Sequence, residues 1–196
     1  MKNSMETITT TSYGICLYSV SQLKTYMKKI GKGRQKKLLS FFQKNQETYL
    51  QSLAEGAWLP IGRINSIGYT VKVSNSCESF DDDWIEVYSY DGFYLRIGDD
   101  NAVWIASIGK LLNFDENEHV NSANGILAYN TLDGETIKSA IRYNIDIGDY
   151  TVSIKGYRSK NDEKRGFLFT FEKVSGPLEI KDPRCDEIYD FNKINR

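Results

Sequence analysis

Histidine is nearly absent from this 196-residue chain, with one copy, His119. A single imidazole excludes His–His metal sites and a two-histidine acid–base pair. The three cysteines, Cys16, Cys77 and Cys185, lie far apart and form no C-x-x-C pair. That spacing argues against a zinc ribbon or a disulfide framework. Met1 to Ser12 is polar and threonine-rich, so no signal peptide is expected, and an odd cysteine count then reads as reduced thiols in the cytoplasm. No run approaches the ~18 apolar residues of a spanning helix. No G-x-S-x-G, P-loop, G-x-G-x-x-G or H-E-x-x-H occurs, and neither does a repeat or a low-complexity tract. The net charge of −1 excludes a uniformly basic nucleic-acid coat.

What is present is an ordinary folding composition, 40% hydrophobic and 26% charged, enough for one large domain to form a core unaided. Tyr13 to Tyr18 reads as a short strand leading into a well-signalled helix. Ser19 and Gln22 have the spacing of a capping box, and Tyr18 and Leu23 that of a hydrophobic staple. Val20, Leu23, Tyr26, Met27 and Ile30 share one face, and Gly31 is a natural stop. A second helix is predicted over 34–55, ending at Gly56, with Leu38, Leu39, Phe42, Tyr49, Leu50 and Leu53 on its buried side. The short joint at Gly31-Lys-Gly33 predicts a helical hairpin.

Beyond Gly56 the period changes to two. Tyr69, Val71 and Val73 alternate with polar residues, as does the stretch from Trp84 to Tyr90. Asp91-Gly92 predicts a tight hairpin turn with a return strand through Phe93, Leu95 and Ile97. Gly98 to Asn101 is the next turn, and 102–112 another strand. Residues 136–146 and 150–157 predict a further hairpin, and 167–174 the last strand. The expected fold is α+β, an N-terminal helical hairpin packed on an antiparallel β-sandwich of about seven or eight strands. The expected organisation is a single domain over 1–196. Within it, 1–12 is disordered, 13–60 helical, 61–176 the β-sandwich and 177–196 a surface tail.

Charge is segregated. Residues 1–60 hold nine basic and three acidic residues, whereas 76–150 hold four and fifteen. The acids concentrate at predicted strand ends: Asp81, Asp82 and Asp83, then Asp99 and Asp100, with Asp115, Glu116 and Glu118 further on. Clustered at one end of a sandwich they would form a negative surface for a basic protein. A solvated rim of turn residues is the other reading, and calcium binding finds no matching loop pattern. Trp84, Tyr90 and Tyr94 accompany these acids and suit an interface. They equally suit sandwich packing. The lysines of 28–37 lack the interleaved aromatics of a nucleic-acid platform. His119 reads as an ordinary loop histidine, and Cys16 as a buried strand residue. Fifteen acids in one segment leave carboxylate-pair hydrolysis open without singling out a pair.

Two stretches carry a resemblance. Tyr13 to Ile61, above all Leu38-Leu-Ser-Phe-Phe42 and Gly56-Ala-Trp-Leu-Pro-Ile61, resembles the N-terminal helical part of small bacterial immunity proteins. Those proteins are encoded beside contact-dependent growth inhibition and other polymorphic toxins. Tyr143 to Tyr157 is similar to the Gly-x-Tyr-x-Val hairpin of β-sandwich inhibitors such as the competence-associated inhibitor of a DNA-entry nuclease. The resemblance touches a little under half the chain. It implies a cytoplasmic, cofactor-free inhibitor without catalytic residues or metal. The partner it implies is a cognate toxin domain, a nuclease or more specifically a ribonuclease, with no direct contact to nucleic acid or membrane. Asp81, Asp82, Asp83, Trp84, Tyr90, Tyr94, Asp99 and Asp100 are the expected partner-binding residues. A sandwich module binding a glycan, and a hydrolase using clustered acids, are the alternatives.

Overall fold

The computed structural model describes residues 5–75, 79–175, 179–185 and 187–193. Cys77 lies outside them. The first strand, β1 (Glu6–Thr9), is followed by β2 (Gly14–Tyr18), helices α1 (Val20–Lys29), α2 (Leu38–Lys44) and α3 (Gln46–Ala54), and strands β3 (Leu59–Gly62) and β4 (Gly68–Ser74). Then come β5 (Trp84–Ile97), β6 (Ala102–Ser107), a 3-10 turn (Ile108–Asn113), the short helix α4 (Glu116–Val120), β7 (Ile126–Asn130), β8 (Thr136–Asn144), β9 (Gly148–Ser159) and β10 (Arg165–Lys173). The strands make two five-stranded sheets, β1-β4-β10-β9-β5 and β3-β2-β6-β8-β7, in a mixed α/β chain. Among the described residues no helix is long and apolar enough to cross a membrane.

The second sheet feeds two buried clusters at once. Ile15 and Leu17 of β2, with Val103 and Ile105 of β6, join the cluster that also holds the inward residues of the first sheet. Their alternate neighbours Cys16, Tyr18, Trp104 and Ala106 join a cluster with the helices. Every residue of β2 and β6 is therefore buried. A strand covered on both faces must read as a continuous apolar run, as 102–106 does.

Helix α1 forms as its sequence predicts. The Ser19 hydroxyl accepts from the Gln22 amide at 3.3 Å, and Val20, Leu23, Tyr26 and Met27 are buried. The other arm of the capping box goes elsewhere, since the Gln22 side-chain amide donates to the Glu55 carbonyl at 2.9 Å. The expected helix over 34–55 is two helices broken at Asn45, whose φ of −131° and ψ of 81° are not helical. The Asn45 side chain donates back to the Phe41 carbonyl at 2.7 Å, a local bond that competes with helix continuation.

Asp91-Gly92 does not turn the chain. β5 runs through it as one 14-residue edge strand on β9. Tyr90 faces Ile154 while Phe93 faces Val152, so one residue bulges, with Gly92 at φ 84°. The positive φ that favours Asp-Gly in a hairpin equally favours a glycine bulge, and the long partner strand decides between them. Residues 136–157 are not a hairpin either, because β8 lies in one sheet and β9 in the other. Among the described residues there are ten strands rather than about seven or eight. The pairing of β4 with β10 is parallel, matching Val71 with Phe167 and Val73 with Phe169, whereas the other pairs are antiparallel.

Both termini depart from expectation. Residues 6–9, read as disordered, pair antiparallel with β4 and bury Ile8 completely. The segment after 179, read as a surface tail, puts Tyr189 and Phe191 into the cluster that holds residues of both sheets, against Tyr69, Tyr88 and Phe167. The Tyr49 hydroxyl donates to Asp182 at 2.7 Å, and the Arg184 guanidinium lies 3.4 Å from the Tyr49 ring centroid. Aromatic side chains spaced two apart at 189 and 191 supply the burial that the charges around them conceal.

A second bulge, at Val87, brings the Tyr88 ring across Gly156 of β9. A Cβ at Gly156 would lie 2.1 Å from the Tyr88 ring. Gly156→Ala is expected to cost about 1–3 kcal/mol of stability through overpacking. In urea unfolding, that cost should largely vanish when the substitution is made in a Tyr88→Ala background.

Candidate functional site

The predicted site residues do not assemble in one place. Asp81, Asp82 and Asp83 precede β5, and Asp99 and Asp100 follow it. With no hairpin at Asp91-Gly92, the two acidic groups sit at opposite ends of a strand roughly 40 Å long. A single acidic edge is thereby ruled out.

At the leading end, Asp81, Asp82 and Asp83 are exposed and Trp84 is half-buried. The Trp84 ring packs on Phe80 with centroids 4.7 Å apart, and Phe80 stacks on Tyr157 at 4.6 Å. Together with Leu168 they form a small cluster of their own, apart from the main core. The Trp84 amide donates to the Asp81 carbonyl at 3.1 Å, and the Lys160 amide to the Asp83 carbonyl at 2.9 Å. These bonds fix the acidic turn against the β9–β10 loop. A groove of about 560 Å³ opens here, lined by Asp81, Asp83 and Trp84 on one side and Lys160, Glu163 and Lys164 on the other.

The remaining candidates serve the fold. Asp100 reaches the start of α1, where its carboxylate accepts from Ser19 Oγ at 2.6 Å, Val20 N at 2.8 Å and Ser21 Oγ at 2.8 Å. A carboxylate on unsatisfied amides at a helix N-terminus is a cap, and it stabilises α1 through the dipole as well. Tyr94 is buried, and its hydroxyl donates to Asp149 at 2.6 Å. Burial and that bond push Tyr94 up to about 12. Asp149 also accepts from Arg96 Nε at 2.6 Å, and the guanidinium holds its carboxyl below the usual range. Tyr90 stacks on Tyr88, and its hydroxyl exchanges hydrogen bonds with the Ile188 backbone, holding the C-terminal segment. Only Asp99 stays exposed at that end.

His119 is not in a loop. It belongs to α4, whose first turn is capped by Asp115, accepting from the Asn117 amide at 3.0 Å. The imidazole is buried, edge-on to Trp104 at 4.7 Å between centroids. Nδ1 lies 2.8 Å from the Asp115 carbonyl oxygen, and Nε2 lies 2.8 Å from the Tyr18 hydroxyl. A carbonyl only accepts, so Nδ1 carries the proton and Nε2 takes the Tyr18 hydrogen. Both nitrogens are used, and burial lowers the pKa below its ordinary value. Cys16 is buried in the cluster that holds Tyr18 and Trp104, and burial pushes its thiol up, away from the reactive thiolate. Among the described residues no group of three or more His, Cys, Asp or Glu could hold a metal.

Beside His119 lies a feature the sequence did not announce. A cleft of about 610 Å³ separates α1 from α4, with Val20 and Trp104 below and Lys24, Lys28, Glu116 and Arg142 around it. Its residues come from α1, β6, α4, β8 and the segments leading into β6 and β7. No local spacing marks them as neighbours, and only the lone histidine pointed here.

The depressed His119 pKa gives a stability signature. The unfolded chain binds the proton more tightly, so the His119 contribution is complete above about pH 6.5 and is lost as pH falls through the folded-state value. Denaturant titrations between about pH 5.5 and 7.5 should show wild type losing stability on acidification more steeply than His119→Gln. Equal slopes would remove the imidazole from the account. No family model, curated protein or solved structure matches the chain.

Proposed function

We propose that this chain is a protein-binding inhibitor of the immunity type. It captures a basic toxin domain, most naturally a nuclease, and covers the surface on which that domain holds its phosphate-bearing substrate. The observation that carries the reading is the exposed run Asp81, Asp82 and Asp83 set beside Trp84 on its Phe80–Tyr157 support. A partly exposed, well-seated indole supplies the apolar anchor of an interface, and adjacent carboxylates steer a cationic partner and pair with it. The groups elsewhere that could do chemistry, His119, Cys16 and Asp100, are taken up by the fold, which supports binding over catalysis. In this reading the two sheets are the faces of a sandwich, antiparallel except for β4–β10, and the N-terminal helices pack on its second sheet. The inhibitor acts in the cytoplasm of the cell that makes the toxin and needs no cofactor. Asp99, Asp100, Tyr90 and Tyr94 are left out of the interface.

The test is co-expression with the toxin domain encoded beside the chain, followed by binding kinetics on the purified pair. A stoichiometric complex is expected. Trp84→Ala should weaken it by about 2 kcal/mol as an interface anchor. Asp82→Lys should slow association several-fold and flatten its salt dependence, because the steering charge is gone. Asp99→Lys, at the far end of β5, should behave as wild type. If Asp82→Lys and Asp99→Lys are indistinguishable, the interface is elsewhere.

A further inference from the structure

The hairpin formed by β7 and β8 ends in a turn that holds a leucine out in water. Leu132 has 111% relative exposure, and Tyr129, on the strand leading to it, has 47%. The turn is tightly fixed. The Thr131 amide donates to the Glu135 carbonyl at 2.8 Å, the Gly134 amide to the Thr131 carbonyl at 3.1 Å, and the Glu135 amide to the Thr131 hydroxyl at 3.0 Å. The Thr131 hydroxyl in turn bonds the Asp133 carboxylate. Gly134, at φ 86°, supplies the left-handed step. Exposed carboxylates at Asp133 and Glu135 flank the leucine. The result is an apolar knob with acidic sides, already ordered, so that little conformational entropy remains to be lost on docking.

The cleft between α1 and α4 is its counterpart. Val20 and Trp104 close its floor with only 8% and 2% of their surface open, and Val120, 78% exposed, forms an apolar rim. Of the charges around it, Lys24 and Glu116 neutralise one another at 2.8 Å, and the Asp100 carboxylate, hydrogen-bonded to the start of α1, keeps its negative charge. Two cations remain without an ion pair among the described residues. Lys28 is exposed on α1. Arg142 donates only to neutral acceptors, the Asn144 amide oxygen and the Asp100 carbonyl. Its stem is laid over Gly125, where a Cβ would come within 2.9 Å. A cleft with an apolar rim and a net positive charge thus faces, in the same chain, an apolar knob with two negative charges.

The knob cannot enter its own cleft. Gly125 lines the cleft at the foot of β7, and Leu132 lies beyond the strand's other end. β7 is paired along its length to β8, which keeps the two roughly 20 Å apart. We propose that the cleft receives Leu132, Asp133 and Glu135 from a second copy of this chain, and that two copies can exchange hairpin tips reciprocally. The contact is small, so association is weak, concentration-dependent and screened by salt. This surface is separate from the Asp81–Trp84 end, and the proposal does not rest on the chain's inhibitory role.

Sedimentation velocity on the full chain, over a range of protein and salt concentrations, tests it. Wild type should gain mass with concentration at low salt and lose it at high salt. Leu132→Asp, at a fully exposed position that folding does not use, should remain monomeric, with a dissociation constant raised roughly tenfold or more. The doubly reversed hairpin, Asp133→Lys with Glu135→Lys, should not self-associate. Neither should the doubly reversed cleft, Lys28→Glu with Arg142→Glu. Mixing the two reversed proteins should restore association, because each then presents opposite charge to the other. A wild type that is monomeric throughout, a Leu132→Asp variant that associates like wild type, or a mixture that stays monomeric would each overturn the proposal.

Discussion

The fold depends on one constraint, the burial of the second sheet on both faces. From Ile15 to Tyr18 in β2 and from Val103 to Ala106 in β6 each residue joins the opposite cluster from its neighbour, so a polar atom on either face needs a partner inside an apolar environment. This double burial joins the helix-side cluster to the cluster that holds the first sheet. It also explains why Tyr18 and His119 are hydrogen-bonded to one another. Both carry polar atoms into the helix-side cluster, and each satisfies the other.

Local signals were legible wherever local chemistry decided the outcome. Helix α1 could be read from Ser19, its apolar face and Gly31, because a cap, a stripe and a left-handed stop are all properties of nearby residues. The alternation of Tyr69, Val71 and Val73 likewise identified β4. The errors arose where one local conformation serves two global outcomes. Gly92 needs a positive φ in a bulge as in a hairpin, and only the length of β9 distinguishes them. Between Asn144 and Gly148 the chain turns as a hairpin would, yet it moves from one sheet to the other. The burial of Tyr189 and Phe191 depends on a cluster formed by residues far earlier in the chain, Tyr69, Tyr88 and Phe167 among them.

The candidate site followed from those errors. Treating β5 as two strands of a hairpin brought Asp81–Asp83 and Asp99–Asp100 together, whereas a continuous strand separates them. Asp100 shows why acidic residues in turns are ambiguous from sequence. The side-chain chemistry that suits a cationic partner also suits exposed amides, and the first turn of α1 is the nearer claimant. Trp84 and its three preceding acids survive as a unit because their proximity is covalent. The cleft beside His119 draws on four separate elements, and nothing short of the assembled fold could reveal it.

The parallel pairing of β4 with β10 has a consequence for synthesis. About a hundred residues separate the two strands, and β1 attaches to its sheet only through β4. While the chain emerges from the ribosome, β9 and β10 can zip locally, but the β1–β4 ribbon must wait with one side open until β10 exists. Such long-range closure slows folding and leaves an adhesive edge unguarded in the interval.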